Sequence, residues 1–332
     1  MRAFLRNERL MLTVLLVFAL LPPLFQLMGQ EYLLSLLNRI LIYGLAAASL
    51  DLILGYGGMV SLGHAAFLGI GAYSAGILAF HSYEGSAVLN WPMGLVLPGS
   101  ESLLLALFVA VVMAGFFGLL TGSISLRTRG MHFIMITLAF AQMFYYLFIS
   151  LDRYGGEDGI SLFGRGHLPG FDLNNDFIYY YLCLFILILF LVLARRFTTS
   201  RFGLVLRGGR DNEQRLRALG FPVYRYRLIC YALAAAAAGV AGVLMAHQGE
   251  YVSPGLMHWT KSGEIMVMVL LGGSGTLVGP LLGAGVLLLL EEVLAIYTEH
   301  WMVILGPFLI LVVLFARNGI HGLLMKIGGR DD

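Results

Sequence analysis

Long apolar runs alternate with short polar segments along the whole chain. A membrane-crossing helix needs about 20 predominantly apolar residues. Runs of that kind occupy residues 10–28, 33–54, 62–80, 102–126, 131–150, 177–195, 227–247, 276–296 and 299–316. A shorter apolar piece covers 262–272. The pattern predicts an all-α polytopic membrane protein of about ten membrane elements in one integral domain, residues 1–332.

Two of the runs are interrupted where a smooth helix would be more stable. In "GYGGMVSLGHAAFLGIGAY" (55–73), Gly55, Gly57 and Gly58 end one apolar run and a second begins near Leu62. In "LLGGSGTLVGPLLGAG" (270–285), Gly272, Gly273 and Ser274 do the same. Non-helical backbone at membrane depth is tolerated only where protein buries it or where it lines a cavity. Transporters place such breaks at corresponding positions of two halves. The candidate translocation residues are therefore Gly57, Gly58, Ser61, His64, Gly272, Gly273 and Ser274. The competing reading is that these glycines only let helices pack closely. Asp51 and His64 flank the first break. Either a transport role or a local one is open to them: hydration of Asp51 at the cytoplasmic face, and a bond from His64 to a freed carbonyl. Glu291 and Glu292 lie near the external end of their run and are expected to reach water.

Charge orients the layout. With the N-terminus inside, 17 of the 21 Lys and Arg residues fall on the cytoplasmic side and only Arg153, Arg165 and Lys261 outside, with Arg39 ambiguous. Both termini are then cytoplasmic. The expected outer loops, 81–100 and 151–176, instead carry acids, among them Glu84, Glu101, Glu157 and Asp158. The chain is 59% hydrophobic and 12% charged, about half the charge of a soluble domain. Cys183 and Cys230 sit inside apolar runs and read as small core or lipid-facing residues. Arg2, Arg6 and Arg9 precede the first run, which has no small-residue cleavage site and reads as a retained helix.

The one long cytoplasmic loop, 197–226, has a shape of its own. Gly208 and Gly209 are expected to break the chain. Asp211 then caps a helix, with Gln214 at the spacing of a capping box. That helix runs to Leu219, and Gly220 and Pro222 stop it. Two turns are too short to persist alone in water. Leu216 and Leu219 on one side, with Glu213, Arg215 and Arg217 charged, predict a knob that needs a partner surface. A basic loop lying on anionic lipid is the other reading. The glycine-rich 272–279 is not a phosphate loop, because no Gly-Lys-Ser or Gly-Lys-Thr follows. No catalytic triad, zinc spacing or paired catalytic carboxylates occur, so no catalytic or metal-binding residues are assigned.

These segments resemble the LivM-type permease subunit of high-affinity branched-chain amino-acid importers driven by ATP-binding-cassette subunits. The resemblance lies in "LGYGGMVSLGHAAFLGIGAY" (54–73), "GMHFIMITLAFAQ" (130–142), "YGGEDGI" (154–160), "SRFGLVLRGGRDNEQRLRALG" (200–220), "YVSPGLMHWTKSGEIMVMVLLGGSGTLVGP" (251–280) and "YTEHWM" (297–302). It implies a type II permease half, like that of the vitamin-B12 importer, in a bacterial inner membrane. It implies as partners a homologous LivH-type permease, two cytoplasmic ATPase subunits, a periplasmic binding protein and membrane lipid, with no nucleic acid. ATP and Mg2+ would belong to the ATPase chains, and this chain would bind no cofactor. Residues 211–220 match the helix that docks on the ATPase, which adds Asp211, Glu213, Arg215, Leu216, Arg217, Leu219 and Gly220 as coupling residues. The family's Glu-Ala-Ala core is here Glu213-Gln214-Arg215. The resemblance implies a small polar substrate, first a branched-chain or other amino acid, while the same family includes importers for urea, amides and other small acids. A stand-alone ion-coupled transporter is the alternative, and it predicts paired carboxylates at the two breaks.

Overall fold

The computed structural model describes residues 2–27, 31–90, 96–298, 300, 303–304, 306–307 and 319–322. The run expected at 299–316 lies almost wholly outside the described residues. Eleven α-helices form the described chain: α1 (Arg2–Leu27), α2 (Glu31–Asp51), α3 (His64–Glu84), α4 (Leu103–Ser125), α5 (Met131–Ile149), α6 (Asp176–Thr199), α7 (Arg201–Asp211), α8 (Glu213–Ala218), α9 (Val223–Gly249), α10 (Trp259–Gly272) and α11 (Gly279–Tyr297). Seven of the described helical stretches are long and apolar enough to cross a membrane, and Leu10–Phe25 within α1 is a shorter apolar one. The expected runs up to 276–296 therefore reappear in helices, while 262–272 becomes the 14-residue α10.

The apolar window of α2 and that of α3 are each 83% buried, whereas those of α4 and α5 are 28% and 22% buried. α2 and α3 are thus the centre of the bundle and α4 and α5 its wall. α9 lies between α3 and α4 because its middle is nearly all alanine and glycine. Ala234, Ala235, Ala238, Gly239, Ala241 and Gly242 are all buried. A Cβ on Gly242 would lie 1.8 Å from the Leu68 carbonyl of α3, so the two backbones touch. Small residues let membrane helices approach and gain dispersion contact without a hydrophobic drive.

α1 solves a problem set by its own prolines. Pro22 and Pro23 lie inside it, and each leaves the carbonyl four residues earlier without its helical donor. Those carbonyls belong to Phe18 and Ala19. The Tyr180 hydroxyl of α6 donates to Phe18 at 2.7 Å, and that of Tyr181 to Ala19 at 3.1 Å. A freed carbonyl in an apolar setting must find such a partner.

One end of the bundle is closed by short β pairs. β1 (Ala87–Asn90) pairs with β2 (Val96–Pro98), and β3 (Ile160–Ser161) pairs with β4 (Tyr251–Val252), both antiparallel. Arg165 at this end pairs with Asp176 and lies 4.9 Å over the Tyr179 ring. Glu157 and Asp158 are exposed there. The opposite end holds α7, α8, and both helix breaks. Cys183 and Cys230 are free and buried.

Candidate functional site

The first break starts one residue after Asp51. α2 passes into a single turn of π-helix, Leu52–Tyr56, a geometry that leaves backbone groups mispaired. Gly58 then turns the chain at φ 66°, and α3 does not resume until His64 rather than Leu62. Side chains from other elements meet the polar backbone this exposes. Arg210 of α7 donates to the Gly55 carbonyl. Thr137 of α5 accepts from the Leu62 N–H at 3.2 Å, and Ser262 of α10 accepts from the Ala65 N–H at 2.9 Å. Cys230 of α9 lies 3.4 Å from the Leu52 carbonyl.

His64 turns to the continuous part of α2 rather than to the broken segment, toward Ser49 and the Ala46 carbonyl. Its Nε2 lies 2.8 Å from the Ser49 hydroxyl, which itself donates to Ala46 at 2.7 Å. The hydroxyl has one proton and spends it on Ala46, so His64 Nε2 carries the proton of this pair.

The second break has a different construction. α10 ends at Gly272, and Gly273 and Gly275 follow at φ 110° and 78°. The Thr276 hydroxyl donates to the Gly273 carbonyl at 2.6 Å, and Gly279 N–H to Thr276 at 3.1 Å. Pro280 then opens α11, where a missing N–H costs nothing.

The two breaks are in contact. The Gly275 N–H donates to Asp51 Oδ1 at 2.7 Å across 224 residues of sequence. A Cβ on Gly55 would lie 2.3 Å from that same nitrogen. Asp51 is fully buried, which corrects the expectation of a hydrated carboxylate at the cytoplasmic face. Its charge lies within electrostatic reach of Arg210. Arg210 thus holds one side of the junction and Asp51 spans it. Of the candidate path residues, Gly57, Ser61, His64, Gly272 and Gly273 are buried within this chain, and Gly58 and Ser274 reach its surface.

The loop beyond α6 departs from expectation in three ways. Gly208 and Gly209 do not break the chain; they lie inside α7, where Leu216 and Val223 pack on them. A Cβ on Gly208 would meet Leu216 Cδ1 at 3.2 Å. The N-cap of α8 is Asn212, which accepts from Arg215 N–H at 2.9 Å, while Asp211 is the last residue of α7. Leu216 turns inward, so the exposed apolar residues are Leu219 (66%) and Phe221 (39%). The C-terminal stop is as expected: Gly220 has φ 85° and the Phe221 N–H reaches the Leu216 carbonyl at 3.1 Å.

Glu213 is the hub of this surface. Arg129, Arg217 and Arg227 contact it at 2.8, 2.6 and 2.9 Å, from the α4–α5 loop, α8 and α9. A cleft of about 190 Å³ connects it to the first break; Gly58, Met59 and Val60 line one side, and Phe133, Glu213 and Arg227 the other. Sequence reasoning overlooked Arg210, Ser49, Thr137 and Ser262. Ser49 and Thr137 left one trace, as polar residues set in apolar runs, whereas Ser262 sits in the polar stretch from Thr260 to Glu264 and left none.

A many-helix membrane bundle with two joined breaks, tied to a shaped surface helix, is the architecture of a membrane permease subunit. The chain belongs to the family described as the permease component of the branched-chain amino acid transport system, whose pattern matches residues 32–314. It is 28% identical to the high-affinity branched-chain amino acid transport system permease protein LivM of Escherichia coli, over 95% of this chain and 75% of that protein. The Salmonella typhimurium protein of the same name gives the same identity and coverage. The probable LivM permease of Methanocaldococcus jannaschii is 25% identical over 80% of this chain and 83% of its own. No solved structure matches the chain.

Proposed function

We propose that this chain is one of two permease subunits of an ATP-driven importer for branched-chain or related amino acids. Its relatives are named for that transport, and the family match covers most of the chain. In this reading the second permease is a LivH-type homologue, one of two ATPase subunits docks on α8 from the cytoplasm, and a periplasmic binding protein delivers substrate to the opposite end. The fold is a type II permease half of about ten membrane elements in a bacterial inner membrane, with both termini cytoplasmic. ATP and Mg2+ are handled by the ATPase chains.

The observation that carries the reading is the route from α8 to the breaks. α8 packs on α7 through Leu216, α7 holds the Gly55 carbonyl through Arg210, and Asp51 bridges to Gly275. A push on the exposed Leu219 and Phe221 is thereby delivered to the two helix breaks. The coupling residues become Asn212 in place of Asp211 as cap, Glu213 as anchor, Arg215, Arg217 and Leu219 as outward contacts, and Leu216 as the link to α7. Gly57, Gly58, Ser61, His64, Gly272, Gly273 and Ser274 form the moving break rather than a wall of exposed side chains.

The test is reconstitution in liposomes with the ATPases, the second permease and a leucine-loaded binding protein. Leucine accumulation that requires ATP, and copurification of the ATPase with this chain in detergent, are expected. Leucine uptake driven by an ion gradient without ATP would replace this reading with the stand-alone transporter.

A further inference from the structure

The face of α10 turned away from the breaks carries charge at a depth where charge is costly. Lys261 Nζ donates to Glu264 Oε2 at 2.8 Å, and the two side chains are 36% and 41% exposed. Their neighbours Ser262 and Ile265 are fully buried, so the pair faces outward from the bundle. The depth follows from α2 and its π turn, which together span Tyr32–Tyr56 with Gly44 at the centre. Tyr43, beside that centre, lies within electrostatic reach of Lys261, Glu264, Arg39 and Glu291. Glu291 of α11 is in turn within reach of Arg39, Lys261 and Glu264. A strip of both signs therefore runs over α2, α10 and α11, from the middle of a membrane span at Tyr43 toward its Tyr32 end, where the Tyr32 hydroxyl meets Glu292. Between the charged pair, Gly263 has none of the described residues within 4 Å of where a Cβ would stand.

Ionisable residues inside membrane spans face a water-filled cavity or a protein partner rather than acyl chains. A Lys–Glu pair also has the chemistry to receive a zwitterion. The substrate carboxylate replaces Glu264 at the ammonium of Lys261, and the substrate ammonium replaces Lys261 at the Glu264 carboxylate. No net charge is left unpaired before, during or after passage. The empty pair re-forms on itself, which limits how tightly the site can hold its guest, and a passage site must release what it binds.

We propose that Lys261 and Glu264 are a zwitterion-recognising station of the translocation path, open toward the second permease. This deepens the importer reading above and rests on it. The experiment uses the complete complex in liposomes. Gly263→Cys should react with a positively charged, membrane-impermeant methanethiosulfonate, since the two native cysteines are buried; an unreactive Gly263→Cys overturns an aqueous path at this face. The double variant Lys261→Met/Glu264→Gln should lower radiolabelled leucine uptake by about tenfold to a hundredfold, the loss of charge-assisted hydrogen bonds. ATP hydrolysis stimulated by leucine-loaded binding protein should stay within about twofold of the parent, as expected where stimulation comes from docking and closure rather than from passage. The conservative Lys261→Arg should keep most of the uptake. Unchanged uptake in the double variant, or uptake and ATP hydrolysis falling in parallel, would make the pair a structural contact and overturn the proposal. Absence of leucine uptake by the parent complex, seen before any variant is made, would instead overturn the importer reading and this assignment with it.

Discussion

At residues 52–63 the chain leaves its helix through a π turn, and at 273–278 it does so through glycines in left-handed conformations. The first break has local bonds from Gly58, Met59 and Gly63, and beside them it depends on three side chains supplied from α5, α7 and α10. The second is closed mainly by its own bonds, through Gly273, Thr276 and Gly279, with Asp51 at the Gly275 N–H as its distant partner. A break held by distant partners changes when any of those helices moves. A break written into backbone conformation keeps its shape and moves as a unit. The first is therefore the responsive element and the second the fixed one, joined to it at Asp51 and Gly275.

Gly55→Ala attacks the junction itself and should have the largest effect. Its Cβ would lie 2.3 Å from the Gly275 nitrogen, and that atom is backbone of the fixed break. A cost of about 3 kcal/mol is expected from such over-packing. Uptake should vanish and the melting temperature of the purified complex should drop. Gly58→Ala should cost less, about 1–2 kcal/mol for holding an alanine at φ 66°, because its Cβ would meet only the Arg210 side chain and no backbone. Equal damage from both would dissolve the distinction between the two breaks.

Arg210→Ala removes the partner of the Gly55 carbonyl and, with it, a cation within electrostatic reach of Asp51. About 2 kcal/mol is expected for a hydrogen bond from a charged group. Binding-protein-stimulated ATP hydrolysis should become disconnected from uptake, measured side by side in liposomes. If uptake per ATP is unchanged, α7 does not transmit to the break.

Ser262→Ala takes the acceptor from the Ala65 N–H, worth about 1 kcal/mol. It should lower thermal stability without changing uptake per ATP, since α10 supports the break without driving it. A loss of coupling as large as that of Arg210→Ala would make α10 a driver too.

The smallest change is expected at α8. Asn212→Ala should fray the helix by about 1 kcal/mol and reduce stimulated ATP hydrolysis. Asp211→Ala should leave it unchanged, because Asp211 belongs to α7. The reverse order would restore Asp211 as the cap.

Hydropathy made the spans legible, because a run of apolar residues long enough to cross has few other uses. The breaks were legible too, since clustered glycines stand out in such runs. That the breaks touch was not, because nothing local to Asp51 or Gly275 records a partner 224 residues away. The cap was displaced by one residue for a related reason. Asp211 and Asn212 are both good caps, and the choice depends on where α7 ends. That helix survives Gly208 and Gly209 only because Leu216 and Val223 fill the space above them. Its existence is a tertiary fact, invisible to propensity.

The span between Asp51 and Gly275 also sets a schedule for biosynthesis. At about 5–20 residues per second, a ribosome needs roughly 10–45 s to reach the second residue of that hydrogen bond after making the first. Arg210 and Ser262, which close the rest of the first break, arrive late in the same interval. Until then the π turn and the Asp51 carboxylate are already made but lack the groups that satisfy them in the finished protein. Insertion of this chain therefore leaves its most polar stretch of early backbone for last, in the keeping of water or of the insertion machinery.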